Sequence, residues 1–169
     1  MNKLRLLITK ECNRNCPGCC NKDWDLDNLP ICTSFEGYDE IMLTGGEPML
    51  KVDLVLKVIE QIRKENPLAK IYMYTAFVFT STIFDTLRLL DGITVTLHTR
   101  WDVKKFKWFT QPLYFLYLFS EKSLRLNIFD GIKIPKDLNL NLWKVRKNIK
   151  WIKNCPLPKD EVFMRLGEI

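Results

Sequence analysis

Residues 3–9, 39–44, 70–75 and 93–98 are short runs rich in Leu, Ile, Val, Met, Tyr and Thr, and segments of helical apolar spacing lie between them. Runs this short bounded by turn residues read as strands. Between the second and third runs, Val52, Val55, Ile59 and Ile62, joined by Leu54 and Val58, recur at the spacing of one helix face until Pro67 stops the pattern. Between the third and fourth, Ile83, Phe84, Leu87 and Leu90 share a face behind Ser81, which is placed to cap a helix. Strands alternating with helices predict parallel βαβ units with right-handed crossovers and a sheet covered by helices.

Beyond Trp101 the pattern is less regular. Residues 103–119 suit a helix interrupted by Pro112, residues 124–129 a fifth strand, and residues 162–166 a last strand, while 142–152 fits either a helix or a strand. Residues 24–37, with Pro30 and several Asp and Asn, read as a loop with one helical turn. Eight strand-helix units do not fit into 169 residues. The expectation is therefore an α/β fold, a partial and open β/α barrel of five or six mostly parallel strands, built as one domain over residues 1–169.

At 47% hydrophobic residues the chain has enough apolar surface for one buried core. No apolar run approaches the roughly 18 residues of a membrane helix, and Leu6-Leu7-Ile8 is too short for a signal peptide, so a cytoplasmic protein without a membrane partner is expected. The net charge of +6 is uneven: residues 101–159 carry 13 basic side chains against 4 acidic ones. Such an excess suits an acidic protein, a nucleic acid or a phosphorylated substrate, and equally a solvated lysine-rich face.

Four of the six cysteines fall between Cys12 and Cys20, directly after the first predicted strand. In a reducing compartment such crowding points to metal or redox chemistry. Cys12, Cys16 and Cys19 stand in the spacing C-x3-C-x2-C. A loop this tight can wrap three corners of an iron-sulfur cube and leave the fourth iron without a protein ligand, with Gly18 letting the backbone curl. Zinc is the rival reading, but a structural zinc site usually has a second cysteine pair, and Cys32, His98 and Cys155 form none. Packing alone gives no reason for four thiols in nine positions. Cys20 reads as a packed thiol outside the ligand set, and Cys32 and Cys155 as ordinary free thiols.

A second loaded turn, Leu43-Thr44-Gly45-Gly46-Glu47-Pro48, follows the second strand. Two glycines free the backbone to approach a ligand and present carbonyls to an ammonium, Glu47 adds an acceptor, and Pro48 stiffens the exit. Both turns lie at C-terminal strand ends, where β/α barrels place their sites, as do Thr75 and His98. Alternation puts Thr94, Thr96 and His98 on one face of the fourth strand.

The cysteine spacing followed by Gly45-Gly46-Glu47-Pro48 resembles the radical S-adenosylmethionine (SAM) superfamily. The resemblance implies one [4Fe-4S] cluster on Cys12, Cys16 and Cys19, with SAM chelating the open iron. It implies that Gly45, Gly46, Glu47 and Pro48 hold the methionine amino group, and that Thr75, Thr96 and His98 are candidates to touch SAM or the substrate. The implied reaction is one-electron cleavage of SAM to methionine and a 5′-deoxyadenosyl radical that abstracts a hydrogen. An electron donor of flavodoxin or ferredoxin type is implied as a partner.

Within the superfamily, Cys16-Pro-Gly-Cys19, Asn21-Lys22, Trp24 and Ile71-Tyr-Met-Tyr-Thr75 look most like the small activases of glycyl-radical enzymes, in particular the anaerobic ribonucleotide reductase activators. That likeness covers about the first 80 residues and implies a larger glycyl-radical enzyme as partner. A compact small-molecule enzyme similar to the 7-carboxy-7-deazaguanine synthases is the alternative, followed by a peptide or nucleic-acid modifier. A zinc-binding module is the non-enzymatic one.

Overall fold

A computed structural model describes residues 2–111 and 118–168. The chain order is β1 (Lys3–Thr9), β2 (Ile31–Cys32), β3 (Glu40–Gly45), α1 (Val52–Glu65), β4 (Lys70–Thr75), α2 (Ile83–Leu89), β5 (Gly92–Leu97), α3 (Arg100–Thr110), β6 (Ser123–Phe129), β7 (Lys144–Ile149) and β8 (Val162–Leu166). One sheet contains all eight strands in the order β2-β8-β1-β3-β4-β5-β6-β7. Every pairing is parallel. The open α/β architecture agrees with expectation, but the strand count of five or six is too low. The two-residue β2 carries no hydrophobic pattern of its own, and it exists because β8 returns to lie between it and β1.

Other boundaries shift for local reasons. The second helix is preceded by Thr82 rather than Ser81, and Thr82 makes no side-chain cap. The third helix begins at Arg100, before Val103, because Thr99 and Asp102 form a reciprocal capping box. Its expected continuation through Pro112 to residue 117 lies outside the described residues. Residues 142–152 contain the strand β7 and no helix. The single helical turn expected within 24–37 falls earlier, as a 3-10 turn over Cys20–Lys22.

The core lies between the sheet and its helices. Leu6, Ile41, Leu43, Ile71 and Met73 face Val55, Val58, Ile59 and Ile62 of α1, all at most 2% exposed. Truncating one such side chain, as in Ile62→Ala, costs about 2–5 kcal/mol. The far edge is β7, where Lys144, Arg146 and Lys147 are exposed. Charges along an edge strand block pairing with other chains, so part of the basic excess serves the fold.

Two bulges shape the end of the sheet that carries the cysteines. Register shifts between Leu7 and Thr9 where β1 leaves β3, and between Asn127 and Phe129 where β7 leaves β6. At the second, Asn148 adopts φ 56°, a left-handed conformation that Asn tolerates. The chain leaves this bend with Lys150, Trp151 and Ile152 along one cavity at the C-terminal strand ends. Among the described residues no helix is long and apolar enough to cross a membrane.

Candidate active site

The loop from β1 carries Cys12, Cys16 and Cys19, all with free thiols. All three line a cavity of about 490 Å³, together with Gly45 at the end of β3 and Gly46 and Glu47 after it, Thr75 at the end of β4 and Ala76 after it, and Thr96 of β5 with His98 just beyond that strand. The structure thus brings these predicted residues to one wall. Pro48 is buried just behind Glu47, opening a 3-10 turn.

Backbone contacts join the two loaded turns. Gly46 N–H donates to the Thr9 carbonyl at 2.7 Å and Glu47 N–H to the Glu11 carbonyl at 2.8 Å. A Cβ on Gly46 would lie 2.1 Å from the Glu11 carbonyl oxygen, and one on Gly45, at φ 144°, would lie 2.3 Å from that of Thr9. These glycines therefore serve a close approach of GGEP to the cysteine loop, in addition to any approach to a ligand. Asn21 reinforces the contact by donating from Nδ2 to the Gly45 carbonyl at 2.8 Å.

Glu47 is only 2% exposed. Its Oε1 accepts from Thr75 Oγ1 at 2.6 Å and from Met49 N–H at 3.1 Å, and its Oε2 accepts from Ala76 N–H at 2.9 Å. Burial pushes this carboxyl above the usual range, against the pull of those three donors and of Arg14. Three acceptor positions of the carboxylate are thus engaged inside the protein, and Thr75 spends its hydroxyl proton on Glu47.

Arg14, inside the cysteine motif, bridges the cysteine loop to Ala76 after β4 and to Asp102 of α3. Its Nη1 donates to Asp102 Oδ2 at 2.9 Å, and its Nη2 to Asp102 Oδ1 at 2.6 Å and to the Ala76 carbonyl at 2.9 Å. Asp102 Oδ2 also accepts from the backbone N–H groups of His98 and Thr99, each at 2.9 Å. Burial pushes the Asp102 carboxyl up, but the Arg14 fork and these amides outweigh it and hold it below the usual range. Burial depresses His98, with Arg14 adding to the effect, which favours the neutral imidazole.

His98 stacks parallel to Trp151 at 5.3 Å between centroids and also meets Phe129, while Phe129 meets Trp151 at 4.2 Å. Trp151 in turn lies on Gly18, where a Cβ would come within 2.6 Å of its own Cβ. Room for this tryptophan, rather than backbone curling, is what Gly18 provides in the cysteine loop.

The free-thiol reading of Cys20 and Cys155 is corrected: the two form a disulfide, with Cα atoms 5.2 Å apart. A separation of 135 residues hid the pairing, which depends on the chain returning from β7. Trp24 Nε1 donates to the Cys155 carbonyl at 2.8 Å, and Cys155 N–H donates to Asp23 Oδ2 at 3.1 Å, so the pairing is embedded in further contacts. Cys32 is a free buried thiol. Arg14, Asp102, Phe129 and Trp151 were missed as site residues. The Thr99-x-x-Asp102 spacing signalled a helix start, whereas nothing local in sequence marks Trp151.

The donor chemistry suits an iron-sulfur cluster, with three free thiols lining one cavity and the adjacent Cys20 withdrawn into a disulfide, although among the described residues no three metal-ligating side chains are gathered closely enough to hold a single metal ion. Burial raises the Cys12 thiol, as do Glu47 and Cys19, and burial followed by Cys19 raises the Cys16 thiol. Ligation requires thiolates, so metal loading releases protons here. Among the described residues, His98 Nδ1 is buried without a hydrogen-bond partner at the cavity wall, a polar atom suited to a bound molecule.

Residues 4–110 match the family model described as a 4Fe-4S single cluster domain. The chain is 30% identical over 114 residues to a probable GTP 3',8-cyclase of Methanococcus aeolicus, covering 59% of this chain and 38% of that protein. It is 30% identical over 123 residues to a probable GTP 3',8-cyclase of Pyrococcus abyssi, covering 65% and 39%. Over 112 residues it is 30% identical to the GTP 3',8-cyclase of Aquifex aeolicus, covering 57% and 35%. The chain thus spans less than two fifths of the length of these relatives. With its cysteine loop and GGEP turn on one cavity wall, the chain belongs to the 4Fe-4S single cluster domain family within the radical SAM superfamily, whose cofactors are a [4Fe-4S] cluster and SAM.

Proposed function

We propose that this protein is a radical SAM enzyme acting on a small molecule, with a compound containing a nucleobase or similar planar ring as the favoured substrate class. When bound, the cluster and SAM supply reductive cleavage of the sulfonium and a carbon-centred radical for hydrogen abstraction. Cys12, Cys16 and Cys19 would hold the cluster, and the strand-end groups from Gly45 to Glu47 would orient SAM beside it. The single observation carrying the small-molecule reading is that Trp151 lies on Gly18 and stacks on His98, so aromatic rings line the cavity beside the cysteine loop. A cavity of about 490 Å³ is of small-ligand size. The His98, Phe129 and Trp151 rings offer planar apolar surfaces on which a ring of the substrate would stack.

The names of the relatives, which specify GTP, favour the same class. In the activase reading a protein glycine would have to pass residues 150–158, which line the same cavity. An external one-electron donor of flavodoxin or ferredoxin class completes the reading, with the basic side chains beyond residue 101 complementing such acidic carriers.

The test is anaerobic turnover of reconstituted protein with SAM, dithionite and a panel of purine nucleotides. Substrate-dependent release of 5′-deoxyadenosine, with a modified nucleotide detected by mass spectrometry, is expected. A glycyl radical on a partner protein, with no nucleotide consumed, would replace this reading with the activase one.

A further inference from the structure

Arg14 lies between the first two cluster cysteines, yet its side chain leaves the cysteine loop and forks onto Asp102 of α3, while Nη2 also reaches the Ala76 carbonyl. The side chains are 17% and 3% exposed, so this pair is largely removed from water. A bidentate guanidinium-carboxylate contact fixes an angle as well as a distance, which a lysine cannot reproduce. Both ends of the fork lead to the site. Ala76 donates its N–H to Glu47 of the GGEP turn, and Asp102 receives the N–H of His98 at the cavity wall. One side chain therefore ties together the cysteine loop, GGEP through Ala76, and His98 through Asp102.

We propose that Arg14 is a positioning residue, which sets the distance and angle between the cluster held by its own loop and the SAM held on the strand ends. Outer-shell partners that orient ligands are worth about 10–100-fold in affinity or activity. A plain structural ion pair would alter only thermal stability. The inference rests on the reading of this cavity as the SAM site, and the wild-type control separates the two.

The experiment uses full-length Arg14→Lys, Arg14→Gln and the double variant Arg14→Gln/Asp102→Asn, reconstituted anaerobically. It measures iron and sulfide content, the EPR spectrum of the reduced cluster with and without SAM, and SAM affinity by equilibrium dialysis. The double variant leaves no buried charge without its partner, so it reports on positioning even if Arg14→Gln alone fails to fold. Expected are near wild-type cluster content, a weakened SAM-induced change in the EPR spectrum, and SAM binding about tenfold weaker or more, with Arg14→Lys giving no rescue. A folded, cluster-loaded variant with the full wild-type response to SAM would overturn the inference. Loss of the cluster in all three would also overturn it, showing Arg14 to be needed for loop folding instead. A wild-type spectrum indifferent to SAM would fell the site reading itself, and this inference with it.

Discussion

At the ends of β1, β3 and β4, the cavity wall is joined largely through backbone, with Gly46 and Glu47 donating to Thr9 and Glu11 and two glycines permitting the contact. Residues 150–158 reach the same cavity from the opposite end of the chain. They are held there by the Trp151 stack on His98 and Phe129, the Trp24 contact and the Cys20–Cys155 disulfide. Trp151 remains 39% exposed. The wall thus rests on backbone contacts that depend little on side-chain identity. The cover depends on a few side-chain contacts and one disulfide, which makes it the place to test for substrate choice.

The sharpest way to break this division is at the ligands. Cys12→Ala, Cys16→Ala or Cys19→Ala should abolish cluster assembly, seen as loss of iron, sulfide and the reduced EPR signal, with 5′-deoxyadenosine falling to background. Cys155→Ser should keep the cluster. That variant should lower stability by about 2–4 kcal/mol under oxidising conditions and by nothing measurable under reducing ones. Hydrogen exchange over 150–158 should rise in the same variant while residues 40–48 stay protected. Next comes Gly46→Ala, whose new Cβ meets the Glu11 carbonyl. Forcing a methyl into packed backbone should cost about 1–3 kcal/mol by denaturant unfolding and lower SAM affinity.

Trp151→Ala tests the cover alone. One aromatic contact to a planar substrate is worth about 0.5–1.5 kcal/mol, so substrate should bind up to about tenfold weaker while cluster content and SAM-dependent EPR remain. Equal loss of SAM and substrate binding would contradict the separation of wall from cover. The smallest effect concerns acid. The Asp102 carboxyl is held below its unfolded value, so its stabilising contribution is fully present above the unfolded Asp value near ~3.9 and is lost as pH falls through the folded value. Asp102→Asn should flatten that part of the melting temperature against pH. Glu47, raised by burial, acts in the opposite sense, losing stability as pH rises through the interval between its unfolded and folded values.

The wall was legible in the sequence because its determinants are local. A cysteine spacing, a double glycine and strand-length apolar runs each report their own surroundings, so Lys70–Thr75 and Val162–Leu166 agree in both bounds with expectation. What stayed hidden depends on distant partners. The strand Ile31–Cys32 forms because β8 lies beside it, and Cys20 pairs with a residue 135 positions away. The role of Arg14 needed Asp102, 88 positions on. The basic excess was visible as charge, but its placement along the β7 edge required the fold.

Three free cysteines and GGEP on one cavity are here proposed to form a SAM-cleaving centre. The most direct test is anaerobic reconstitution followed by reduction in the presence of SAM, with metal analysis, EPR and chromatography of nucleosides on one sample. The account predicts about four iron and four sulfide per chain, an EPR signal that changes on adding SAM, and release of 5′-deoxyadenosine. Zinc as the only bound metal, with no 5′-deoxyadenosine formed, would contradict it.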